Sequence, residues 1–248
     1  MRSTCGSAIG EPRKQDIAES LRALLLAGAN GGQAGKLAHE ASKGLEVQSL
    51  RAIAPSALRL EMNLDQQAVD AGSQVADIGA GSGYFTAHLS MQVGPSGRVF
   101  AVDISDRALD QLARLVESDE LENVDVIRGE IDDPALPERS LDAVLIVDAY
   151  HEMTEYEAML AGVYEALKPG GRFVILDLVP SDSSAARGRQ TSNHRLSISL
   201  VEREIREAGF EVIERDPRFT RSGRGSGQWM LVARRPAPRR WRSGPRTL

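Results

Sequence analysis

The stretch Val75–Ser90, VADIGAGSGYFTAHLS, limits the possible folds of this chain more than any other. It opens as a short apolar run containing one acid, Val75-Ala76-Asp77-Ile78, which reads as a buried strand. Three glycines follow at alternate positions, Gly79, Gly81 and Gly83, and from Tyr84 the pattern becomes that of an amphipathic helix. A strand, a glycine turn and a helix in this order imply that something must approach the backbone closely. Glycine has no Cβ to hold a ligand away and accepts positive φ. The helix N-terminus behind the turn offers unpaired N–H groups and partial positive charge. The unit reads as a nucleotide-type cofactor loop. It is not the dinucleotide fingerprint, which needs glycine at its first, third and sixth positions; counted from Gly79, the sixth position is Tyr84.

Beyond the loop the pattern alternates between strand and helix. Arg98–Ile104 predicts a second buried strand. The spacing of Ala108, Leu112 and Leu115 predicts a helix near 106–118, with Ser105 or Asp106 as its N-cap. Val124–Arg128 and Leu141–Val147 predict the third and fourth strands. A helix over about 155–168 follows, with a capping box in Thr154-Glu-Tyr-Glu157 and a stop at Lys168-Pro-Gly-Gly171. Arg172–Leu178 predicts the fifth strand. A long polar loop leads to a helix near 199–208 ending at Gly209, and Phe210–Arg215 and Gln228–Ala233 predict two further strands. Fully apolar strands alternating with helices mean a parallel α/β sheet covered on both faces. The last two strands have no helix between them, so that pair is expected to be antiparallel.

Residues 1–58 read as a helical extension: a disordered start, an amphipathic helix over 14–27, and a second helical region over 36–70 interrupted at Pro55. Covering a cofactor cleft and packing on the sheet edge both remain open for it. Residues 59–233 form the domain proper, and 234–248 an Arg/Pro tail expected to be disordered. The chain carries net charge −5, and that tail holds six arginines and no acid, so the body is more acidic than the total suggests. Such a body suits a cationic cofactor and argues against a protein built mainly to grip nucleic acid. The single cysteine, Cys5, excludes a disulfide framework and a cysteine-based metal site. No apolar stretch reaches the ~20 residues of a membrane helix, and the acids near the N-terminus argue against a signal peptide. The expectation is a cytoplasmic protein with no metal and no membrane contact.

In open α/β sheets ligands lie at the carboxyl ends of the strands. Those ends carry Asp77 with the glycine turn, then Asp103, placed to accept both hydroxyls of a ribose, with capping of the next helix as its alternative use. Gly129-Glu130-Ile131-Asp132 follows strand three; Glu130 or Asp132 can accept from an adenine amine. Asp148 ends strand four and leads into Ala149-Tyr150-His151-Glu152, a polar loop expected to face the cleft.

The segments VADIGAGSGYF, VFAVDIS, IRGEIDDPALP, LDAVLIVDAYHEM and LKPGGRFVILD, in this order and spacing, resemble the five motifs of class I S-adenosylmethionine-dependent methyltransferases. They are most similar to the bacterial methyltransferase-domain enzymes of the ubiquinone/menaquinone type, over about residues 73–233. The resemblance implies a Rossmann-like, seven-stranded, mostly parallel sheet with the last strand inserted antiparallel. It implies S-adenosylmethionine as cofactor, with Asp77, Gly79, Gly81 and Gly83 at the methionine part, Asp103 at the ribose, and Glu130, Ile131 and Asp132 at the adenine; Ala80 and Ile104 also belong to the cofactor set. Asp148 completes the cofactor set. Glu130 stands where the family often has aspartate. The implied reaction is in-line methyl transfer to an oxygen, carbon or nitrogen of a small-molecule acceptor. His151 is the candidate base, with Tyr150 and Glu152 as possible acceptor contacts and His194 able to close over the acceptor. No Asn-Pro-Pro-Tyr element follows strand four, which argues against methylation of an exocyclic base or amide nitrogen. The alternatives are a non-catalytic cofactor- or RNA-binding protein and, more remotely, a nicotinamide-dependent oxidoreductase; the oligomeric state is open.

Overall fold

In a computed structural model, residues 69–220 and 227–237 are described. The apolar runs become the strands β1 (Gln74–Ile78), β2 (Arg98–Asp103), β3 (Val124–Arg128), β4 (Leu141–Val147), β5 (Leu167–Leu178), β6 (Glu211–Asp216) and β7 (Gln228–Arg234). Between them lie α1 (Tyr84–Val93), α2 (Asp106–Ser118), α3 (Tyr156–Ala166), the short α4 (Arg187–Thr191) and α5 (Ile198–Glu207); a single 3-10 turn, Tyr150–Glu152, follows β4. The seven strands form one sheet in the order β3-β2-β1-β4-β5-β7-β6. The first five are parallel, and β7 runs antiparallel to both β5 and β6.

Alternation along the strands sorts side chains into two cores, as a pleated strand requires. Val75, Val99, Leu145, Leu176, Met230 and Val232 face α1 and α2, where Leu89, Val93 and Leu112 meet them. Ile78, Val144, Ile146, Ile175, Trp229 and Leu231 face α3 and α5, whose buried residues are Met159, Leu160, Val163, Val201 and Ile205. β6 is mostly exposed and closes one edge.

The structure differs from the sequence expectation at four boundaries. Lys168-Pro-Gly-Gly171 is not a loop between α3 and the strand: β5 already starts at Leu167. Leu141 pairs with Leu167, a register shift intervenes, and Ala143 then pairs with Arg172. The capping box at Thr154–Glu157 does not form; Glu155 is the N-cap of α3 and makes no side-chain cap bond. The loop after β5 contains α4, too short to leave a periodic signal. Arg234 and Arg235, placed in the tail by composition, belong to the fold. Arg234 ends β7 and pairs with Glu211, and Arg235 Nη1 donates to the Tyr164 and Leu167 carbonyls at 2.7 Å each. The helices expected over 14–27 and, as far as residue 68, over 36–70 lie outside the described residues, as does the remainder of the tail, 238–248.

Phe173 is fully buried in the α3/α5 core, its ring centroid 5.3 Å from that of Phe210. Phe173→Ala should lower the unfolding free energy by about 3–5 kcal/mol in a urea titration, with an unchanged m-value.

Candidate functional site

The chain builds β1, β2 and β3 outward in one direction, then returns to place β4 on the other side of β1 and continues to β5. The strand order therefore reverses between β1 and β4, and helices feeding away on either side leave a crevice above their carboxyl ends. Two loops meet there. A Cβ added to Gly79 would lie 2.5 Å from Ala149 Cβ, so only glycine lets the loop after β1 pass the loop after β4 so closely. A Cβ on Gly81 would meet nothing within 4 Å. Of the three glycines, Gly79 serves the packing of the protein on itself, while Gly81, at φ +56°, leaves open space beside the backbone.

Two carboxylates hold this loop. Asp77 is buried, and Thr86 Oγ1 in the first turn of α1 donates to its Oδ2 at 2.7 Å. Burial pushes the Asp77 carboxyl up to about 6, and the Asp103 charge adds to the rise, against the opposing Thr86 hydrogen bond. Asp103 ends β2 and accepts the Gly81 N–H on Oδ2 and the Ser105 N–H on Oδ1, both at 2.9 Å. The two uses read from the sequence are thus not exclusive. Ser105 is the N-cap of α2 but makes no side-chain cap bond, and Asp103 supplies an acceptor at that helix start while bracing the glycine loop. A carboxylate has about four acceptor positions, so its engagement with two N–H groups leaves capacity for ribose hydroxyls.

The turn after β3 joins the same group. Gly129 N–H donates to the Asp103 carbonyl, and a Cβ on Gly129 would lie 3.9 Å from Ile104 Cγ2. Glu130 N–H donates to the Asp133 carbonyl at 2.7 Å, closing a tight turn with exposed Glu130, Ile131 and Asp132. Ile104 and Ile131 are 58% and 54% exposed, two aliphatic side chains left in water beside the crevice.

On the other side of the reversal, Asp148 stands at φ +49° with both carboxylate oxygens taking the Gln228 amide, at 3.0 and 2.8 Å. Burial and the nearby Asp177 charge raise its pKa, against the Gln228 hydrogen bond and His151. His151 is 6% exposed. Its Nδ1 lies 2.9 Å from Asp177 Oδ1 and 3.1 Å from Oδ2, and its backbone N–H donates to Oδ2 at 3.1 Å. Desolvation would lower the imidazole pKa, but the hydrogen bond and charge of Asp177, with Glu152 and Asp148, outweigh it and the net shift is upward. Tyr150, expected at the acceptor, is instead fully buried: its hydroxyl donates to Glu204 Oε2 at 2.9 Å, and Arg187 Nε donates to Oε1 of the same carboxylate at 2.9 Å. His194, carried on the loop between α4 and α5, lies edge to face with His151 at 5.6 Å between centroids.

The structure thus gathers Asp77, Gly79, Ala80, Gly81, Gly83, Asp103, Ile104 and 129–132 at the ends of β1–β3. Asp148, His151, Glu152 and His194 gather at the ends of β4 and β5. Sequence reasoning missed Asp177, although an acid at the end of an apolar strand is the same signal that singled out Asp77 and Asp103. It also missed Gln228, Arg187 and Glu204, whose partners are 80, 17 and 54 residues distant, beyond any local pattern.

Residues 75–171 match the family model described as "Methyltransferase domain". The chain is 33% identical over 116 residues to the ubiquinone/menaquinone biosynthesis C-methyltransferase UbiE of Pasteurella multocida, covering 46% of this chain and 43% of that protein. It is 32% identical over 116 residues to the UbiE of Hahella chejuensis, covering 46% of each. The chain therefore spans less than half the length of these relatives. Among solved structures it is similar to a SAM-dependent methyltransferase from Aquifex aeolicus, with TM-score 0.62 and 23% identity over 77% of this chain and 98% of that one. It is also similar to the [4+2]-cyclase SpnF, with TM-score 0.61 and 18% identity over 73% and 81%. These likenesses establish the fold. Among the described residues no helix is long and apolar enough to cross a membrane.

The raised pKa of Asp77 makes stability pH-dependent. Between about pH 4 and pH 6 the folded state keeps a proton that the unfolded state has released, so the unfolding free energy falls as pH rises through this window, by about 3 kcal/mol in all. Urea titrations at pH 4.5 and 6.5 should show about 2 kcal/mol of this loss in the parent chain and a flatter profile in Asp77→Asn.

Proposed function

We propose that this chain is a class I methyltransferase that binds S-adenosylmethionine and passes its methyl group to an oxygen, carbon or nitrogen of a small-molecule acceptor. The single observation that carries the reading is the Asp103 carboxylate, which braces Gly81 and the start of α2 at the crevice while retaining free acceptor positions. In this reading Asp77 and the loop Gly79–Gly83 hold the methionine part, Asp103 the ribose, and Ile104 and Ile131 the two faces of the adenine, with Glu130 or Asp132 at its amine. Asp148, engaged by Gln228, forms the border between the cofactor and acceptor halves. The first turn of α1 has no acid and its Gly83 N-cap makes no side-chain cap bond, which suits a ligand carboxylate at that helix end.

When bound, the cofactor supplies an electrophilic methyl on a sulfonium, so the new bond to the acceptor forms as the carbon–sulfur bond breaks and the electron pair stays on sulfur. The protein's work is then to position the acceptor and exclude water. His151 is assigned to the acceptor side. Its Nδ1 is fixed on Asp177, so Nε2 is the ring atom left to face the acceptor. The oxidoreductase reading gains no support from the site, because the glycine spacing after β1 is not that of a dinucleotide fold.

Calorimetric titration of the full chain with S-adenosylmethionine, S-adenosylhomocysteine and NADH tests the reading. Both sulfur ligands should bind, NADH should not, and Asp103→Ala should weaken binding at least tenfold, since it removes charge-assisted hydrogen bonds worth about 1.5–3 kcal/mol each. Failure of both sulfur ligands to bind, with NADH bound instead, would overturn it.

A further inference from the structure

We propose that His151 Nε2, Glu152 Oε1 and His194 Nδ1 form a three-ligand site for a divalent transition metal of the zinc class at the carboxyl ends of β4 and β5. The three side chains come from two segments, the 3-10 turn after β4 and the loop between α4 and α5, and their donor atoms all lie within 4.8 Å of one another. Glu152 Oε1 stands 3.7 Å from His151 Nε2 and 3.5 Å from His194 Nδ1. Both separations exceed the ~2.7–3.2 Å of an N–H···O hydrogen bond. They are close to the roughly 3.3 Å that separates neighbouring ligands around a tetrahedral zinc with bonds of about 2.0–2.1 Å. A carboxylate held between two imidazoles, slightly too far from each to be bonded, is arranged as ligands around a common centre are arranged.

Asp177 supplies the second observation. It accepts from His151 Nδ1, which fixes the proton on that nitrogen and turns the lone pair of Nε2 toward Glu152 and His194. A carboxylate behind a histidine, orienting its ring and strengthening its basicity, is the usual outer shell of a zinc-bound imidazole. His194 is also held in place. Its backbone sits at φ +53°. The residues beside it are tied down by Arg195 Nη1 to the Val179 carbonyl at 2.8 Å and by Trp229 Nε1 to the Leu196 carbonyl at 2.7 Å. Glu152 and His194 are largely exposed, so their side chains can move the ångström or so needed to close around an ion without disturbing the core.

Two imidazoles and one carboxylate suit zinc, iron, cobalt or nickel; magnesium and calcium prefer all-oxygen sets. Three protein ligands leave one tetrahedral position open, as in catalytic rather than structural zinc sites. If the chain transfers methyl groups as proposed above, that position would take an oxygen of the acceptor, and the bound ion would ease its deprotonation. The acceptor class that fits is a small molecule with an ionisable hydroxyl. This second step rests on the methyltransferase reading; the metal site does not.

Cobalt is the probe, because four-coordinate Co2+ has strong visible absorption that the aqueous ion lacks. The full chain, first treated with a chelator, should develop these bands on titration, saturate at a single ion per chain, and lose them to added Zn2+. His194→Ala and Glu152→Gln alter exposed side chains and should fold normally; each should weaken Co2+ binding at least tenfold. Asp177→Asn should weaken it about 10–100-fold while leaving the band positions nearly unchanged. Absence of visible bands in the parent chain, or equal binding by the parent and His194→Ala, would overturn the proposal. S-adenosylmethionine binding is measured on the same chelated protein, so loss of cofactor binding and loss of metal binding register separately.

Discussion

The passage of Gly79 beneath Ala149 is the constraint on which the site depends. Sheet order alone creates a crevice between β1 and β4, but its width is set by how nearly the two loops above it can touch. A Cβ at position 79 would lie 2.5 Å from Ala149 Cβ, closer than two carbons can approach, and the loops would have to part. That separation would carry Asp148 and the His151 turn away from the glycine loop. The two halves of the site, one suited to a nucleoside and the other carrying imidazoles and carboxylates, are held at their spacing by a missing side chain.

Around that contact the carboxylates do most of the building. Asp77, Asp103, Asp148 and Asp177 each end or nearly end a strand of the parallel sheet, where the apolar run gives way to polar surroundings. Each is braced by a different partner: Thr86, the Gly81 and Ser105 N–H groups, Gln228, and His151. Buried acids are costly unless they are hydrogen-bonded, and here the bonds that satisfy them also set the shape of the loops. A fifth acid, Glu204, does the same farther from the crevice. It is buried on α5 and takes the Tyr150 hydroxyl and Arg187, linking the turn after β4 to α4 and α5.

Much of this was legible in the chain itself. The continuous apolar runs marked four of the parallel strands to within a residue at each end, and the fifth only from Arg172, five residues after β5 begins. The acids at their ends, with the alternate glycines, located the half of the candidate site at the ends of β1–β3, because that half is built from residues near each other in sequence. The imidazole half was only partly legible. His151 stood out for its loop, but its orientation comes from Asp177, across a neighbouring strand, and its companion His194 arrives on a loop whose path depends on Trp229 and Arg195. Tyr150 read as an acceptor contact because it sits in a polar loop; a hydroxyl can instead turn inward when a buried carboxylate awaits it, and nothing local announces Glu204. Thr154 and Glu157 had the right identities for a capping box, but α3 starts one turn position too late for them to pair.

The antiparallel setting of β7 gives the domain an electrical polarity. Because β7 runs against β5, it ends at the sheet edge opposite the carboxyl ends of the parallel strands. There Arg235 takes the carbonyls at the close of α3 and stacks on the Tyr164 ring at 4.6 Å. β7 thus carries Arg234 and Arg235 to the end of the sheet opposite the crevice, so their charge stays away from anything seated among Asp77, Asp103, Asp148 and Asp177.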